Sequence, residues 1–594
     1  MRDTTIKTEF CVIGGGLAGL VAAISAARHG TKTVLIQDRP VLGGNSSSEI
    51  RMHVCGAHGA NMRETGVIEE LMLDNYRYNR EPNYAMWDAV LYGKAKTAEN
   101  LTLILNASVN SLEMDGKRIK SVKAWQPTSE TRLTVEAALF ADCSGDGILA
   151  PLSGADFRVG REARAEFNES IAPEISDAKT MGMSCLFQAR EHDAPQPFTP
   201  FPWAYDYSAS AEWRKDRDVN IFGTNFWWLE VGGEADSIHD AEECRDELVK
   251  IAFGVWDYLK NHDVNKEKYA NFSLDWQGFL PGKRESRRYL GDIILNQNDV
   301  EAAGKHFDDI VAYGGWSMDD HFPAGFYHNG HGTTYHPAPS PFGIPYRTLY
   351  SRNIENLFCA GRCHSATHSA MSSTRVMGTT SLMGQAVGTA AAIAIRDNLS
   401  PRGIYEQRRR ELLQTLLDDD SYLPWQSRDI AAISKEAKLT ASSDVTPDRS
   451  SLENLRNGID RPVGDSDNGC SVPIGSSVEY DFGKNVEISK VRLVFDSDLN
   501  RTDPSRPHGQ TKLLNMRYYC GKGDLPFSPP ATLVKDFRIE VKTADGKWES
   551  AAEITGNWQR LVKVPINAFA SQLRFTPLAT HGTPLAHLFA FEAV

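Results

Sequence analysis

The sequence predicts an α/β chain that ends in an antiparallel β-sandwich. Three observations predict it. A strand, a glycine-punctuated turn, a helix and a second strand follow one another within the first forty residues. A region rich in Trp, Tyr, Phe, Arg and His interrupts that texture from about residue 157, and short alternating runs replace it after about residue 442. The 594 residues allow about three or four domains. Hydrophobic residues at 41% and charged residues at 24% are those of a globular chain, which excludes wholesale disorder, collagen-like repetition and an extended coiled coil. Lys plus Arg is 64 against 77 for Asp plus Glu, a balance that argues against nucleic acid as a partner. No run approaches the ~20 apolar residues of a membrane span, and Arg2, Asp3, Lys7 and Glu9 near the start do not form a secretory pattern, so a cytoplasmic protein is expected. The nine cysteines are scattered with no CxxC pair, which predicts buried thiols and no metal centre or disulfide framework.

Each element of the first unit has a local reason. Residues 10–13 (FCVI) form a short apolar run, Gly14, Gly15, Gly16, Leu17, Ala18 and Gly19 follow, and an alanine-rich segment reaches Arg28. Gly14 permits the tight turn, Gly16 lets backbone approach a pyrophosphate, and Gly19 lets helix and strand pack, so phosphates meet the helix's free amides and dipole. Residues 33–36 form the second strand. This is a Rossmann-like unit. The carboxylate expected at the end of that strand is replaced by Gln37, with Asp38 beside it; an amide can also hydrogen-bond a ribose, and Arg39 is either a contact for a 2′-phosphate or a solvated arginine.

Residues 39–49 (RPVLGGNSSSE), 139–147 (LFADCSGDG), 356–362 (NLFCAGR), 373–377 (STRVM) and 384–388 (GQAVG) occur in that order. Together they resemble the FAD-binding signatures of proteins built like glutathione reductase and the fumarate reductase flavoproteins. Over about residues 1–396 the pattern is similar to the bacterial FAD-dependent oxidoreductase family. The resemblance implies FAD as cofactor, with Gly43, Gly44, Asn45, Ser46, Gly145, Asp146, Gly361, Arg362 and Gly384 around it. Asn45 and Ser46 stand where disulfide oxidoreductases carry a redox cysteine pair, so dithiol chemistry is excluded, and no second GxGxxG unit supplies a nicotinamide domain. The electron acceptor stays open.

The expected organisation is an FAD-binding domain in two parts, residues 1–156 and 347–400, an inserted α+β substrate domain at 157–346, a helical linker at 401–435, and a β-sandwich at 436–594. Ser400 before Pro401 marks a helix start. In the tail, 478–482, 491–495 and 537–541 alternate apolar and polar residues, and Asp545-Gly546 reads as a turn. Residues 457–460 (NGID), 478–483 (VEYDFG) and 541–548 (VKTADGKW) resemble discoidin-like, galactose-binding jelly rolls. That resemblance leaves two roles open, glycan binding and a structural or dimerising one.

A flavin moves the electrons, so side chains are needed to orient substrate, move a proton and hold charge. His364, His368 and Arg375 lie in one segment. By the fumarate reductase resemblance, His368 and Arg375 occupy the positions of a substrate-binding His and Arg, although Val376-Met377-Gly378 departs from that family's turn. Imidazole exchanges protons near neutrality, and guanidinium binds an oxyanion bidentately. The alternative is two histidines bonded to backbone. The amides at Thr379, Thr380 and Ser381 open a helix that either faces the flavin or packs on the sheet. Residues 283–288 (KRESRR) offer Arg284 and Arg287 to an acidic ligand, or form salt bridges with Glu285. Trp316, Asp319, His321, His328, His331 and His336 form a loop region from which Trp316 is a substrate-stacking candidate and His321 an acid–base candidate. Arg51 and His53, close after Gly44, are further substrate candidates. The leading reading is an FAD-dependent oxidoreductase passing a hydride between flavin N5 and a small hydroxylated, carbohydrate-derived molecule, a sugar or sugar acid. The alternatives are a non-redox flavoprotein lyase or isomerase, and a glycan-binding protein with a degenerate flavin fold. Substrate identity, direction, covalent attachment of FAD and homo-oligomerisation are left open.

Overall fold

Short, largely buried strands build the centre of the first unit. Strands β1 (Phe10–Ile13), β2 (Thr33–Ile36), β3 (Leu101–Ile104), β4 (Leu139–Asp142) and β5 (Leu357–Cys359) form one parallel sheet in the order β5-β4-β1-β2-β3. Every residue of β1, β2, β4 and β5 is buried, as expected of a parallel sheet covered on both faces. Helix α1 (Leu17–Arg28) leaves β1 through the glycine turn. The computed structural model describes the chain except residues 220, 222–224, 444–450, 504–511, 514–515, 517–518 and 521–525, and the side chains of 519 and 520.

Asn356, just before β5, ties this sheet to a second one made of Arg2–Lys7, Thr131–Glu136, Arg118–Gln126 and Ser108–Asp115. Its amide donates to the Ile119 and Ala138 carbonyls at 2.8 and 3.0 Å and accepts from the Ile119 N–H at 2.9 Å. One buried side chain thus satisfies three backbone groups. Helices α3 (His368–Thr374) and α4 (Met377–Asp397) follow β5. A Cβ on Gly384 of α4 would lie 2.0 Å from the Ala18 carbonyl oxygen, and one on Gly388 would lie 2.1 Å from that of Ala22. The small residues therefore bring α4 and α1 into backbone contact. Gly384, expected at the cofactor, serves packing.

Between the two parts of this layer, residues 157–346 form short strands and helices. Met183–Ser184 pairs with Glu230–Val231 and Gly282–Lys283, and Phe187–Glu191 pairs with Phe272–Gln277. The helix Ala241–Asp257 packs in an aromatic core that includes Phe187, Trp228, Trp256 and Phe326. The hairpin Met318–His321 with Thr333–His336 sets Asp319 opposite Tyr335 and His321 opposite Thr333.

The chain divides into two compact units, and the division differs from the expected boundaries. Unit one holds residues 1–56, 81–409 and 515–526; unit two holds 57–80, 410–514 and 527–594. Residues 57–80 were expected in the FAD-binding domain. Their helix α2 (Val67–Tyr78) instead buries Glu69 and Asp74 among partners of the second unit. Trp558 Nε1 donates to Asp74 at 2.9 Å, Arg560 lies 3.7 Å from Glu69, and the Tyr76 and Phe527 rings stack at 4.6 Å. Helix α5 (Pro401–Asp418) starts at the expected proline.

In unit two, β6 (Cys470–Pro473), β7 (Val478–Phe495), β8 (Val534–Lys542), β9 (Trp548–Ile554), β10 (Leu561–Thr580) and β11 (Leu585–Ala593) pair antiparallel in the order β6-β11-β7-β10-β8-β9. Val534, Phe537, Ile539 and Val541 alternate inward along β8. The long strand β7 is bulged twice against β10, between Asp481 and Val486 and between Ile488 and Lys490. Bulges bend a strand and increase its twist, which is consistent with a β-sandwich.

Candidate active site

A cavity of about 370 Å³ opens in unit one, lined by both glycine loops, the ends of β1 and β2, the turn after β4, the turn after β5 and the start of α4. This volume lies in the usual range for a small-molecule site. Gly14 has φ +97°, and a Cβ there would lie 2.4 Å from the Cys143 carbonyl oxygen, so only glycine fits. Gly16 and Gly43 form an isolated parallel bridge, and Gly43 N–H donates to the Gly15 carbonyl at 2.8 Å. Gln37 lines the cavity but already works inside the protein. Its carbonyl accepts from Gly15 N–H at 2.6 Å, and its amide donates to Val41 O at 3.3 Å. Asp38 and Arg39 also line the cavity, and Arg39 lies 3.3 Å from Glu49.

Of the second glycine signature, Gly43, Gly44 and Asn45 line the cavity. Asn45 donates to Lys283 O at 3.1 Å. Ser46 does not line it. Its hydroxyl donates to Gly43 O at 2.9 Å and accepts from Trp87 Nε1 at 3.2 Å, because the short turn Gly44–Ser46 points it into the core. Gly19 also packs inward, against Gly14.

Gly145, Asp146, Gly361 and Arg362 meet along another wall. Asp146 accepts from Lys283 Nζ at 2.7 Å, Ser286 Oγ at 2.8 Å and Arg362 Nη2 at 3.2 Å. Burial pushes its pKa up, but Arg362 and Lys283 outweigh that and hold the carboxyl below its usual range. Arg362 Nη1 is buried and has no hydrogen-bond partner among the described residues. These observations fit the dinucleotide implied by the sequence. A Cβ on Gly16 would meet nothing closer than Gly44 Cα at 3.9 Å, the N-cap of α1 has no side-chain cap, and Arg362 and Lys283 border the same groove. Free amides and nearby cations suit a pyrophosphate.

Ile50, Leu280, Pro281, Lys283, Arg375, Met377 and Thr380 also line the cavity. The start of α4 reaches the cavity at Met377 and Thr380, while Gly378 N–H is spent on Cys55 O at 2.8 Å. Leu280, Pro281, Lys283 and Ile50 were not expected there, and only the charge of Lys283 could have signalled it.

Period-two alternation along the hairpin 318–321 and 333–336 sorts the remaining polar residues into two networks. Asp319 and His321 point one way. Asp319 Oδ2 accepts from Arg375 Nη2 at 2.9 Å and lies 3.2 Å from His321 Nε2, while its Oδ1 accepts from Thr333 Oγ1 at 2.6 Å. His321 Nδ1 meets Glu230 at 2.6 Å, and Arg284 lies 3.4 Å from the same carboxylate. Burial opposes the charge of Asp319, but His321 and Arg375 hold its carboxyl well below the usual range. Asp320 points the other way, to His368. His368 Nε2 faces Asp320 at 3.0 Å, Nδ1 faces Glu285 at 2.8 Å, and Arg288 connects Glu285 to Glu162 at 3.4 and 2.9 Å.

The run 283–288 is thus largely a salt-bridge strand, with Arg284, Glu285 and Arg288 all spent internally. Arg287 donates to Asp146 O at 3.3 Å and lies over Phe157. Arg51 packs 4.4 Å above the Trp276 ring and bonds Gln188; His53 lies 3.3 Å from Cys55 Sγ; Trp316 O accepts from Ser373 Oγ at 2.5 Å. None of these four lines the cavity.

Two histidine expectations need correction. Burial lowers the pKa of an imidazole, yet Glu285 and Asp320 outweigh it and raise His368 to about 10, so near neutrality both N–H groups are spent on carboxylates. It is no free base. His364 is fully buried, bonded to Gly361 O at 2.9 Å and Thr374 Oγ1 at 3.1 Å, and burial pulls its pKa to about 4. It is a neutral structural histidine. Among the described residues no group of three or more His, Cys, Asp or Glu side chains is arranged to hold a metal, and no helix is long and apolar enough to cross a membrane.

The alpha subunit of sarcosine oxidase from Corynebacterium sp. (strain U-96) is 22% identical over 319 residues, covering 50% of this chain and 31% of the relative. The chain therefore matches about a third of that relative's length. A geranylgeranyl bacteriochlorophyll reductase-like protein from Thermoplasma acidophilum aligns over 69% of this chain and 84% of its own, at 12% identity and a TM-score of 0.32. The family 32 carbohydrate-binding module of Streptococcus pneumoniae EndoD aligns over 27% of this chain and 94% of its own, at 17% identity and a TM-score of 0.20. Residues 9–417, more than two thirds of the chain, match the model of the FAD dependent oxidoreductase family, and the chain belongs to that family, with FAD as its cofactor.

Proposed function

We propose that the enzyme oxidises or reduces a small hydroxylated molecule that carries a carboxylate, a sugar acid being the leading class. One observation carries this reading. Arg375 lines the cavity and is fixed by Asp319 at 2.9 Å. A guanidinium held in place by one carboxylate at the wall of a cavity is preorganised for an oxyanion. FAD, when bound, supplies the group that takes up or gives the hydride at N5. Gly14, Gly16, Gly43, Gly44, Asn45, Gly145, Asp146, Gly361 and Arg362 would hold it. The first turn of α4, at Met377 and Thr380, adds the positive end of a helix dipole to the same wall and favours negative charge there.

The carbohydrate element of the reading rests on the discoidin-like resemblance of the tail, whose bulged antiparallel strands suit a jelly roll. A second class shares the carboxylate: the name of the sarcosine oxidase relative points to a small amino acid. The test is an anaerobic titration of purified holoenzyme with gluconate, its uncharged relative glucitol, and sarcosine, followed by the visible flavin bands. Bleaching by gluconate alone supports the sugar-acid reading. Bleaching by sarcosine alone moves the assignment to amino acids, and bleaching by glucitol as readily as by gluconate removes the carboxylate requirement.

A further inference from the structure

With both histidines of the 364–368 segment spent inside the protein, the wall around Arg375 needs a different polar partner for substrate. The hairpin supplies one. Directly opposite residues of an antiparallel pair present their side chains to the same face, so Tyr335, opposite Asp319, shares the face whose carboxylate fixes Arg375. The phenol feels Asp319, Arg375, Cys55 and Arg284. These neighbours come from four separate segments. Cys55 in turn accepts from the N–H of Gly378, the residue after the cavity-lining Met377. Tyr335 therefore stands on the same face as Asp319, the carboxylate that holds the cavity-lining Arg375, without itself lining the cavity.

Its chemistry also fits. Half of Tyr335 is open to solvent, at 52% exposure, and its hydroxyl has no hydrogen-bond partner among the described residues. Burial of the rest, with Asp319 nearby, pushes its pKa up to about 12, so the group is a hydrogen-bond donor and not a base at neutral pH. His331 lies beside it, ring to ring at 6.1 Å, and Trp227 touches both His331 and His321 at 6.1 and 5.3 Å. An aromatic wall thus runs inward to the Asp319 network.

We propose that Tyr335 contacts substrate and sets specificity, its hydroxyl donating to the carboxylate that Arg375 binds, with Asp319 positioning both through the hairpin. This rests on the carboxylate reading above. The experiment measures gluconate binding to oxidised holoenzyme from the perturbation of the flavin spectrum, in wild type, Y335F and R375Q, with FAD content and melting temperature recorded for each. Expected is a gluconate Kd about 10- to 100-fold weaker in Y335F, the loss of one hydrogen bond to a charged group, at unchanged FAD content and melting temperature, and no measurable binding in R375Q. Wild-type affinity in Y335F, with binding abolished in R375Q, overturns the role of Tyr335 and leaves the carboxylate reading standing. No perturbation of the wild-type flavin by gluconate or by sarcosine overturns both. D319N separates positioning from contact: it is expected to weaken gluconate, and a wild-type Kd in D319N removes the hairpin from the account.

Discussion

In unit one, Arg375 and Arg362 pair with Asp319 and Asp146 and border a cavity of about 370 Å³. In unit two, Arg560 pairs with Asp420 at 2.7 Å and borders, with Asp460 and Arg461, a space of only about 10 Å³, barely room for one water. The histidines of the two regions are alike. His368 is clamped by Glu285 and Asp320, and His587 by Asp467 and Asp496 at 2.7 and 3.1 Å. Each is driven down by burial and raised by its carboxylates, to about 10 and about 9. A buried ion pair is thus no sign of a site. What separates the two regions is the empty volume beside the ion pair.

Experiments can break or sharpen that contrast. The largest effect is expected from R560Q, which strands Asp420 and Glu69 in the interior and should cost about 3–5 kcal/mol of stability. Urea unfolding reads it, with flavin reduction per folded molecule unchanged; a slower reduction rate in the folded fraction would blur the two roles. R375Q should lower turnover by about 10²–10³-fold while costing less unfolding free energy than R560Q, because Asp319 keeps His321 and Thr333 as partners, a pair of numbers that steady-state kinetics and unfolding supply together. G384A comes next. Its new methyl would meet the Ala18 carbonyl, an overpacking cost of about 1–3 kcal/mol, and FAD affinity measured at a temperature where the variant is folded should match wild type if Gly384 only packs.

The last effect is one of pH. Both histidines have folded pKa values raised above the unfolded value of about 6.5, so their stabilisation is complete below that value and is lost as pH rises through the folded pKa. Calorimetry between pH 7 and 10 should show the contribution of His587 fading around 9 and that of His368 around 10. H587Q and H368Q should each flatten their own part of the decline, and an unchanged alkaline slope in either variant would remove that histidine from the comparison.

How far the site could be read from the chain depended on sequence distance. The glycine turns were legible because Gly14, Gly16, Gly43 and Gly44 act through their own backbone, within a few residues. His368 was misread as a base because the groups that fix its charge, Glu285 and Asp320, stand 83 and 48 residues away. Gln37 was legible as the odd residue at the strand end, but its bond to Gly15 depends on how the turn closes. The alternation of the tail predicted its antiparallel strands, since a half-buried strand records its own faces. The hairpin that sorts Asp319 from Asp320 could not be read, because neither its partner strand nor its register has a local signature.

The helix α2 carries a consequence for the tail as a portable cassette. Gene fragments are exchanged intact when all their stabilising contacts lie within one continuous stretch. Here residues 57–80 supply Glu69 and Asp74 to the second unit although the chain returns to the first unit at residue 81. A fragment beginning at 436 would carry Arg560 and Trp558 without those acceptors, and without Asp420 as well. The tail and the cofactor layer are therefore expected to have been inherited together, and a sugar-binding assay on the isolated tail would examine an incomplete fold.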